Sequence, residues 1–240
     1  MDRSDTWQNV FAKVSKQGSN ILESMDVSGL AAFDMDGTLI DGRLVFALAD
    51  RFDLALKVRE IQASGKAGSH QTKDIAELFA GLTEKDVESA IRSIPLTKNC
   101  ERVIATLKKK NYRIGIISDS YTIAAGFVAE RLGLDFVAAN ELEIIDSKLT
   151  GRIEMPLGWE KIGCFCKISV CKRYHLEKYA RKFGVTMQAT IAVGDTKSDL
   201  CMVQRSSTGV AFMPKDEQIA NATDKVVREP DLLRVLDFVS

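Results

Sequence analysis

Carboxylates stand in pairs at two places in this sequence, each time directly after a short apolar run. One pair is Asp34 and Asp36, and the other is Asp195 and Asp199. Two carboxylates in one cleft can divide a reaction, because one attacks an electrophile while the other moves protons. Four carboxylates in one cleft repel one another unless a divalent cation lies among them, and ligation by oxygen alone favours Mg²⁺ over zinc. An Asp-rich turn and ordinary helix capping would also explain the two pairs.

Two single polar residues occupy similar positions. Ser118 follows the apolar run 114–117, and Lys172 opens an amphipathic pattern. A serine after a strand is commonly a helix N-cap. A lysine in a first helical turn opposes the helix dipole, which indicates that it serves something other than the helix.

Alternating strands and helices must position these residues. Short apolar runs predict buried strands over 30–33, 114–117, 136–138, 190–193 and 208–212. Amphipathic patterns predict helices over 99–110, with Asn99 as N-cap, over 121–132 and over 171–182, while 141–153 predicts a hairpin. The predicted fold class is α/β, a doubly wound parallel sheet with helices on both faces. All four polar clusters then lie at the carboxyl ends of strands, where such sheets bind ligands.

One long stretch breaks the alternation. Residues 41–96 contain four helical patterns, with the third beginning near Thr72, and no strand. We therefore expect a core of residues 29–40 and 97–240, a small helical cap at 41–96 inserted into it, and an N-terminal helical extension at 1–28. In that extension, an i, i+3, i+4, i+7 pattern predicts an amphipathic helix, carried by Trp7, Val10, Phe11 and Val14.

The composition excludes several classes of protein. Of the 240 residues, 33 are Lys or Arg and 33 are Asp or Glu, which argues against binding to nucleic acid or to an anionic membrane. No apolar run reaches the roughly 20 residues that a membrane span needs. The first residues lack the apolar stretch of a secretory signal, and five cysteines without framework spacing suit reduced thiols. We expect a cytoplasmic protein, and the sequence leaves its oligomeric state open.

The four polar clusters together resemble a known family. The segments 34–39 and 194–199, with Ser118 and Lys172 between them, resemble in order the four motifs of the haloacid-dehalogenase-like hydrolases. The helical insert at 41–96 is similar to the small C1 cap of the phosphoserine phosphatase branch. The resemblance implies the fold predicted above, with a core of Rossmann-like type.

The resemblance also implies a catalytic and a metal-binding role for each carboxylate. Asp34 would attack phosphorus, and Asp36 would protonate the leaving oxygen and later activate water. Mg²⁺ would be bound by Asp34, by the backbone carbonyl of Asp36 and by Asp195. Asp199 would hold Asp195 or a water on the metal.

Further residues would bind the substrate. Ser118 and Lys172 would contact the phosphoryl oxygens, and Thr38 would bind phosphate or orient Asp36. Arg43 stands where phosphoserine phosphatases have a glutamate that pairs with the substrate ammonium. A guanidinium there favours a substrate that carries a carboxylate or a second phosphate. The alternative is that Arg43 contacts only solvent on the first helix of the cap.

We therefore predict a Mg²⁺-dependent phosphatase that hydrolyses a small anionic phosphomonoester through an aspartyl-phosphate. Alternatives are phosphoserine phosphatase itself, a phosphotransferase and a non-catalytic phosphate-binding regulatory protein. Lys66, His70 and Lys73 are candidates for a cationic contact from the cap. Separately, a group of thiol and imidazole side chains within 12 residues is either a set of reduced thiols or a zinc site: Cys164, Cys166, Cys171 and His175.

Overall fold

A seven-stranded sheet runs through the computed structural model, which describes residues 27–155 and 162–239. Its strands are β1 (Gly29–Phe33), β2 (Tyr112–Tyr121), β3 (Phe136–Ile145), β4 (Lys148–Glu154), β5 (Thr190–Gly194), β6 (Thr208–Phe212) and β7 (Val226–Val227). Their order is β4-β3-β2-β1-β5-β6-β7, and only the β3–β4 pair is antiparallel. The predicted α/β fold class is confirmed, whereas the predicted N-terminal helix lies outside the described residues.

Four helices lie between β1 and the next core helix. They are α1 (Leu44–Arg51), α2 (Ala55–Ala63), α3 (Gly68–Leu78) and α4 (Glu84–Ser93), and we call them the helical insert. The remaining α-helices of the described residues are α5 (Cys100–Lys109), α6 (Thr122–Leu132), α7 (Lys172–Lys182), α8 (Leu200–Arg205) and α9 (Glu217–Ala220). Short 3₁₀ turns cover Met187–Ala189, Lys197–Asp199 and Leu232–Phe238. The predicted cap boundaries, 41–96, enclose the insert.

The central strands are buried on both faces, as continuous apolar runs require. Along β1, Ala31 and Phe33 pack into one hydrophobic cluster, while Leu30 and Ala32 pack into another on the opposite face. The first cluster also contains Leu44 and many other side chains of the insert. The insert therefore shares a continuous apolar core with one face of the sheet.

Several predicted element boundaries and one predicted capping interaction were wrong. β2 runs on to Tyr121, and β3 extends to Ile145 because it forms the predicted hairpin with β4. Helix α3 begins at Gly68, not near Thr72. Asn99 does not cap α5 with its side chain; it has a φ of +62° and donates to the Asp231 carboxylate at 2.8 and 2.9 Å.

Among the helices of residues 27–155 and 162–239, none combines the length and the apolar character needed to cross a bilayer.

Candidate active site

A buried ion network connects three of the predicted site residues. The Nζ atom of Lys172 donates to Asp34 Oδ1 at 2.7 Å and to Asp199 Oδ1 at 2.5 Å, and all three side chains are almost inaccessible to solvent. We call these three residues the catalytic floor. Phe33 pairs with Val193 in the parallel register of β1 and β5, so the residues that follow these strands meet at one edge of the sheet.

The charges of the floor depend on one another. Burial lowers the pKa of Lys172, but Asp199 and Asp34 offset it and leave that pKa well above its usual value. Burial and the negative charge of Asp199 raise the pKa of Asp34 well above its usual value, against the opposing effect of Lys172. A single ammonium group thus binds two carboxylates whose mutual repulsion is not screened by water.

Both carboxylate oxygens of Asp199 accept hydrogen bonds from the protein. While Oδ1 accepts from Lys172, Oδ2 accepts the backbone N–H groups of Asp195 and Thr196 at 3.1 and 3.0 Å. A Cβ atom at Gly194 would lie 2.2 Å from Asp199 Cγ, so only glycine lets the loop approach this closely. Asp199 therefore shapes the loop that carries Asp195.

Asp195 lies within reach of the floor and of the insert. Its Oδ2 accepts from Arg43 Nη2 at 3.2 Å, and its buried Oδ1 has no hydrogen-bond partner among the described residues. Burial and the nearby Asp199 raise the pKa of Asp195 to about 7, although Arg43 counteracts them. Gly37, with a φ of +81°, passes so near that a Cβ atom there would lie 2.3 Å from Asp195 Oδ2.

Asp36 is attached to the first turn of the insert. The backbone N–H of Leu44 donates to Asp36 Oδ1 at 2.6 Å. Burial raises the pKa of Asp36 to about 6, and this hydrogen bond opposes the rise. A carboxyl group with a pKa close to neutrality suits proton transfer in both directions.

The two predicted phosphate-binding hydroxyl groups, those of Thr38 and Ser118, are both fully buried. Ser118 lies where the ladder between β2 and β3 is interrupted, and its Oγ accepts the N–H of Ser120 at 3.1 Å. It is therefore part of a bulged strand end and not a helix N-cap, since α6 begins only at Thr122. Thr38 Oγ1 has no partner among the described residues.

The carboxylates at this edge fit a divalent cation. One oxygen from each of Asp34, Asp195 and Asp199 lies within 4.8 Å of the other two. Because Asp199 uses both oxygens in other contacts, Asp34 and Asp195 are the carboxylates left to ligate a metal. The unpartnered Oδ1 of Asp195 and the oxygen-only donor set agree with Mg²⁺.

A cavity of about 430 Å³ opens between the insert and the sheet edge. Its core side is lined by Asp34, Asp36, Asp119, Ser120, Tyr121, Ile168, Thr196, Lys197, Ser198 and Asp216. Its insert side is lined by Arg43, Val45, Phe46, Gln62, Gly68, Gln71, Thr72 and Ile75. The insert side therefore carries one cation and no carboxylate.

The cationic candidates named from the cap sequence do not line this cavity. Lys66, His70 and Lys73 are exposed, and Lys66 forms an ion pair with Asp74. The polar side chains that the insert does present were missed. Gln71 is one of them, and its Nε2 also donates to the backbone oxygens of Gln62 and Lys66. Nothing in the local sequence separates it from a surface glutamine on an amphipathic helix.

Comparison with known proteins decides the family. A model of the haloacid dehalogenase-like hydrolases matches residues 31–204. The chain belongs to this family. Phosphoserine phosphatase of Methanocaldococcus jannaschii is 29% identical, over 88% of this chain and 97% of that protein. Phosphoserine phosphatase of Streptomyces coelicolor is 31% identical over 86% of this chain, which spans only 49% of that relative's length.

A solved structure extends the likeness to the fold. A phosphoserine phosphatase that carries an analogue of its phospho-aspartyl intermediate aligns with a TM-score of 0.77 at 27% identity, over 89% of this chain and 99% of that one. The predicted superfamily, its phosphoserine-phosphatase-like branch and the fold are confirmed. The names of these relatives also agree with the predicted class of enzyme, a phosphoric monoester hydrolase.

Proposed function

We propose that this protein hydrolyses a small phosphomonoester, with Asp34 as the nucleophile and Asp36 as the acid and base. The observation that carries the proposal is the catalytic floor. Its Lys172 Nζ donates to Asp34 Oδ1 at 2.7 Å, and Asp34 lines the cavity. A buried ammonium on a carboxylate that lines a cavity fixes the side chain for attack and supplies positive charge where phosphoryl oxygens would lie.

In the first step, a carboxylate oxygen of Asp34 attacks phosphorus, and the bond between phosphorus and the ester oxygen breaks. The departing oxygen takes the proton from Asp36, so an alcohol leaves and Asp34 carries the phosphoryl group. The N–H of Leu44 holds Asp36 in place and stabilises the carboxylate that forms.

In the second step, Asp36 removes a proton from a water molecule that attacks the same phosphorus. The bond to Asp34 breaks, inorganic phosphate forms, and both carboxyl groups return to their starting states. Throughout, Ser118 and Lys172 contact the phosphoryl oxygens, while Thr38 supports the phosphate or Asp36. If an alcohol replaced water, the same residues would perform phosphotransfer.

Asp34, Asp195 and the backbone carbonyl of Asp36 would hold Mg²⁺. When bound, the ion neutralises negative charge on the transferring group, which is the main requirement of phosphoryl transfer. Asp199 keeps its structural contacts and orients the loop of Asp195 through that residue's backbone N–H. Burial first, and repulsion from Asp199 second, raise the pKa values of Asp34 and Asp195, and a bound cation would offset both effects.

The preferred substrate would carry a second anionic group and no ammonium. Arg43 is the cation on the insert side of the cavity, and the insert supplies no carboxylate there to pair with an amine. The side chain of Arg43 is 40% exposed, so it can turn from Asp195 toward a substrate. Phosphoserine remains the second candidate, because the relatives are phosphoserine phosphatases. The reduced cysteines expected from the sequence still favour a cytoplasmic location.

The test is a panel of phosphorylated metabolites, including phosphoserine, assayed for phosphate release with Mg²⁺ and with EDTA. We expect Mg²⁺-dependent release that EDTA abolishes reversibly, with the fastest turnover on an ester that has a second anionic group. Asp195→Ala should raise the Mg²⁺ requirement by about 100-fold or abolish activity. Asp50→Ala, at an exposed position of α1, is the matched control and should behave like the wild type.

No turnover on any ester, together with tight binding of phosphate, would contradict the enzyme and favour a phosphate-binding regulator. A preference for phosphoserine would contradict the substrate class but keep the mechanism. Release of alcohol without an equal amount of inorganic phosphate would indicate phosphotransfer.

A further inference from the structure

Four of the five cysteines converge on one point of the fold. Cys164 and Cys166 lie in the segment before α7, Cys171 is the residue that precedes the helix, and Cys201 lies in α8. Their four Sγ atoms all lie within 4.8 Å of one another. The sequence had grouped His175 with the first three, but the fourth member is Cys201, which is 30 residues beyond Cys171 in the chain.

The cluster is shielded from solvent and reduced. Cys164, Cys171 and Cys201 are buried, Cys166 is half-buried, and all four thiols are free. Apolar packing alone does not explain the arrangement, because a cysteine that merely fills space has no reason to turn its sulfur toward three others. The fifth residue, Cys100, lies apart in α5 and shows how an isolated buried thiol is placed.

The spacing of the sulfurs identifies the ligand that they fit. Four thiolates bound to one tetrahedral zinc at about 2.3 Å lie about 3.8 Å from one another, within the observed limit of 4.8 Å. A four-iron cluster needs its thiolates farther apart, because each sulfur binds a different iron atom. Four protein ligands also close the coordination sphere, which is typical of structural and not catalytic zinc.

The surrounding backbone suits thiolates. The N–H of Arg173 donates to Cys201 Sγ at 3.3 Å, a contact of the kind that orients metal ligands. Cys171 stands at the N-terminus of α7, where the helix dipole stabilises negative charge. These features supplement the convergence of the four sulfurs, on which the inference rests.

We propose that Cys164, Cys166, Cys171 and Cys201 bind one structural zinc ion that joins the start of α7 to α8. Binding replaces the thiol protons, so the four S–H groups release their protons as the Zn–S bonds form. None of the four cysteines lines the cavity, so this site is separate from the carboxylate site.

The position of the cluster indicates a structural role for the ion close to the catalytic floor. Cys171 directly precedes Lys172, and Cys201 follows Asp199 by two residues. A zinc ion would therefore crosslink the two chain segments whose side chains meet at 2.5 Å in the catalytic floor. It would also fasten the segment 162–171, in which Ile168 reaches the cavity.

The test begins with the full-length wild-type chain, purified without added metal and desalted, and measures zinc by elemental mass spectrometry. We expect about one zinc ion per chain. In the double variant Cys171→Ser/Cys201→Ser the zinc content per chain should fall by at least about tenfold, while Cys100→Ser should keep the wild-type content. Asp195→Ala should keep it as well, which separates this metal from the one expected at the carboxylates.

A second measurement keeps the test decisive if the double variant does not fold. Wild-type protein reconstituted with Co²⁺ should show the strong visible absorption of tetrahedral cobalt bound by thiolates. Less than about 0.1 zinc per chain in the wild type, an absence of that absorption, or a disulfide within the cluster would overturn the proposal. Zinc that persisted in a folded double variant would overturn it too.

Discussion

The two sides of the cavity are built by opposite principles. On the core side, Asp34 lines the cavity and pairs with the buried Lys172, which also pairs with the buried Asp199. On the insert side, Gln62 is exposed and Gln71 is only half-buried, and the single cation, Arg43, is 40% exposed. The floor is therefore rigid and specific in its charges, whereas the insert presents adaptable polar groups.

This difference indicates a division of labour between the two sides. A transferring phosphoryl group needs fixed charge and accurate position, and buried ion pairs supply both. Discrimination among substrates needs contacts away from phosphorus, and these can change without disturbing the reaction. Changes in the floor should therefore reduce turnover on every substrate, while changes in the insert should alter the ranking of substrates.

The largest effect should come from Asp36→Asn. An amide cannot exchange protons with the leaving group or with water, so turnover of an alkyl phosphate should fall by about 10²–10⁴-fold. Single-turnover release of nitrophenolate from nitrophenyl phosphate should fall less, because that leaving group needs no proton. Asp41→Asn, an exposed carboxylate of the same loop, is the control. Equal losses for both leaving groups would contradict proton transfer by Asp36.

Lys172→Met should weaken the floor as a whole. Turnover should fall by about 10²–10³-fold on all substrates, because the cation beside the phosphoryl group is lost. The free energy of unfolding should also fall, by about 3–5 kcal/mol, since two buried carboxylates lose their shared partner. Kinetics and chemical denaturation measure the two effects. Lys178→Met, at an exposed position of the same helix, is the control and should leave both quantities nearly unchanged. Similar losses in the two variants would contradict the role of Lys172 as the cation that compensates Asp34 and Asp199.

The smallest effect, and the most selective, should come from Arg43→Met. We expect kcat/KM to fall by about 10²-fold for a substrate with a second anionic group. For nitrophenyl phosphate, which lacks such a group, it should fall less than about tenfold. Arg51→Met, on the outer part of α1 where Arg51 contacts Ser89, is the control. Parallel losses on both substrates would mean that Arg43 acts only through its contact with Asp195.

Local patterns in the sequence were sufficient to predict the frame of the site. The apolar runs before Asp34 and Asp195 became β1 and β5, whose parallel pairing brings the two loops together. Lysine in the first turn of α7 was anomalous for a helix, and the structure gives the reason: Lys172 compensates two buried carboxylates.

What the sequence could not supply was convergence over long distances. The fourth cysteine of the cluster, Cys201, lies in another helix, so the sequence groups the nearby His175 with the other three cysteines. Gln71 lines the cavity because α3 packs against β4, and the spacing of Gln71 in the sequence carries no sign of this. Asn99 likewise leaves its expected capping role for an acceptor 132 residues away.

The most direct test of the account is to find where the phosphoryl group is held between the two steps. Asp36→Asn should form the aspartyl-phosphate from nitrophenyl phosphate but hydrolyse it slowly, so the intermediate should accumulate. After an acid quench, intact mass spectrometry and peptide mapping should find one added phosphoryl group, located on Asp34, and none when Asp34→Asn is combined with Asp36→Asn. A phosphoryl group on another residue, or continued turnover with no labelled protein at any time, would contradict the assignment of Asp34 as the nucleophile.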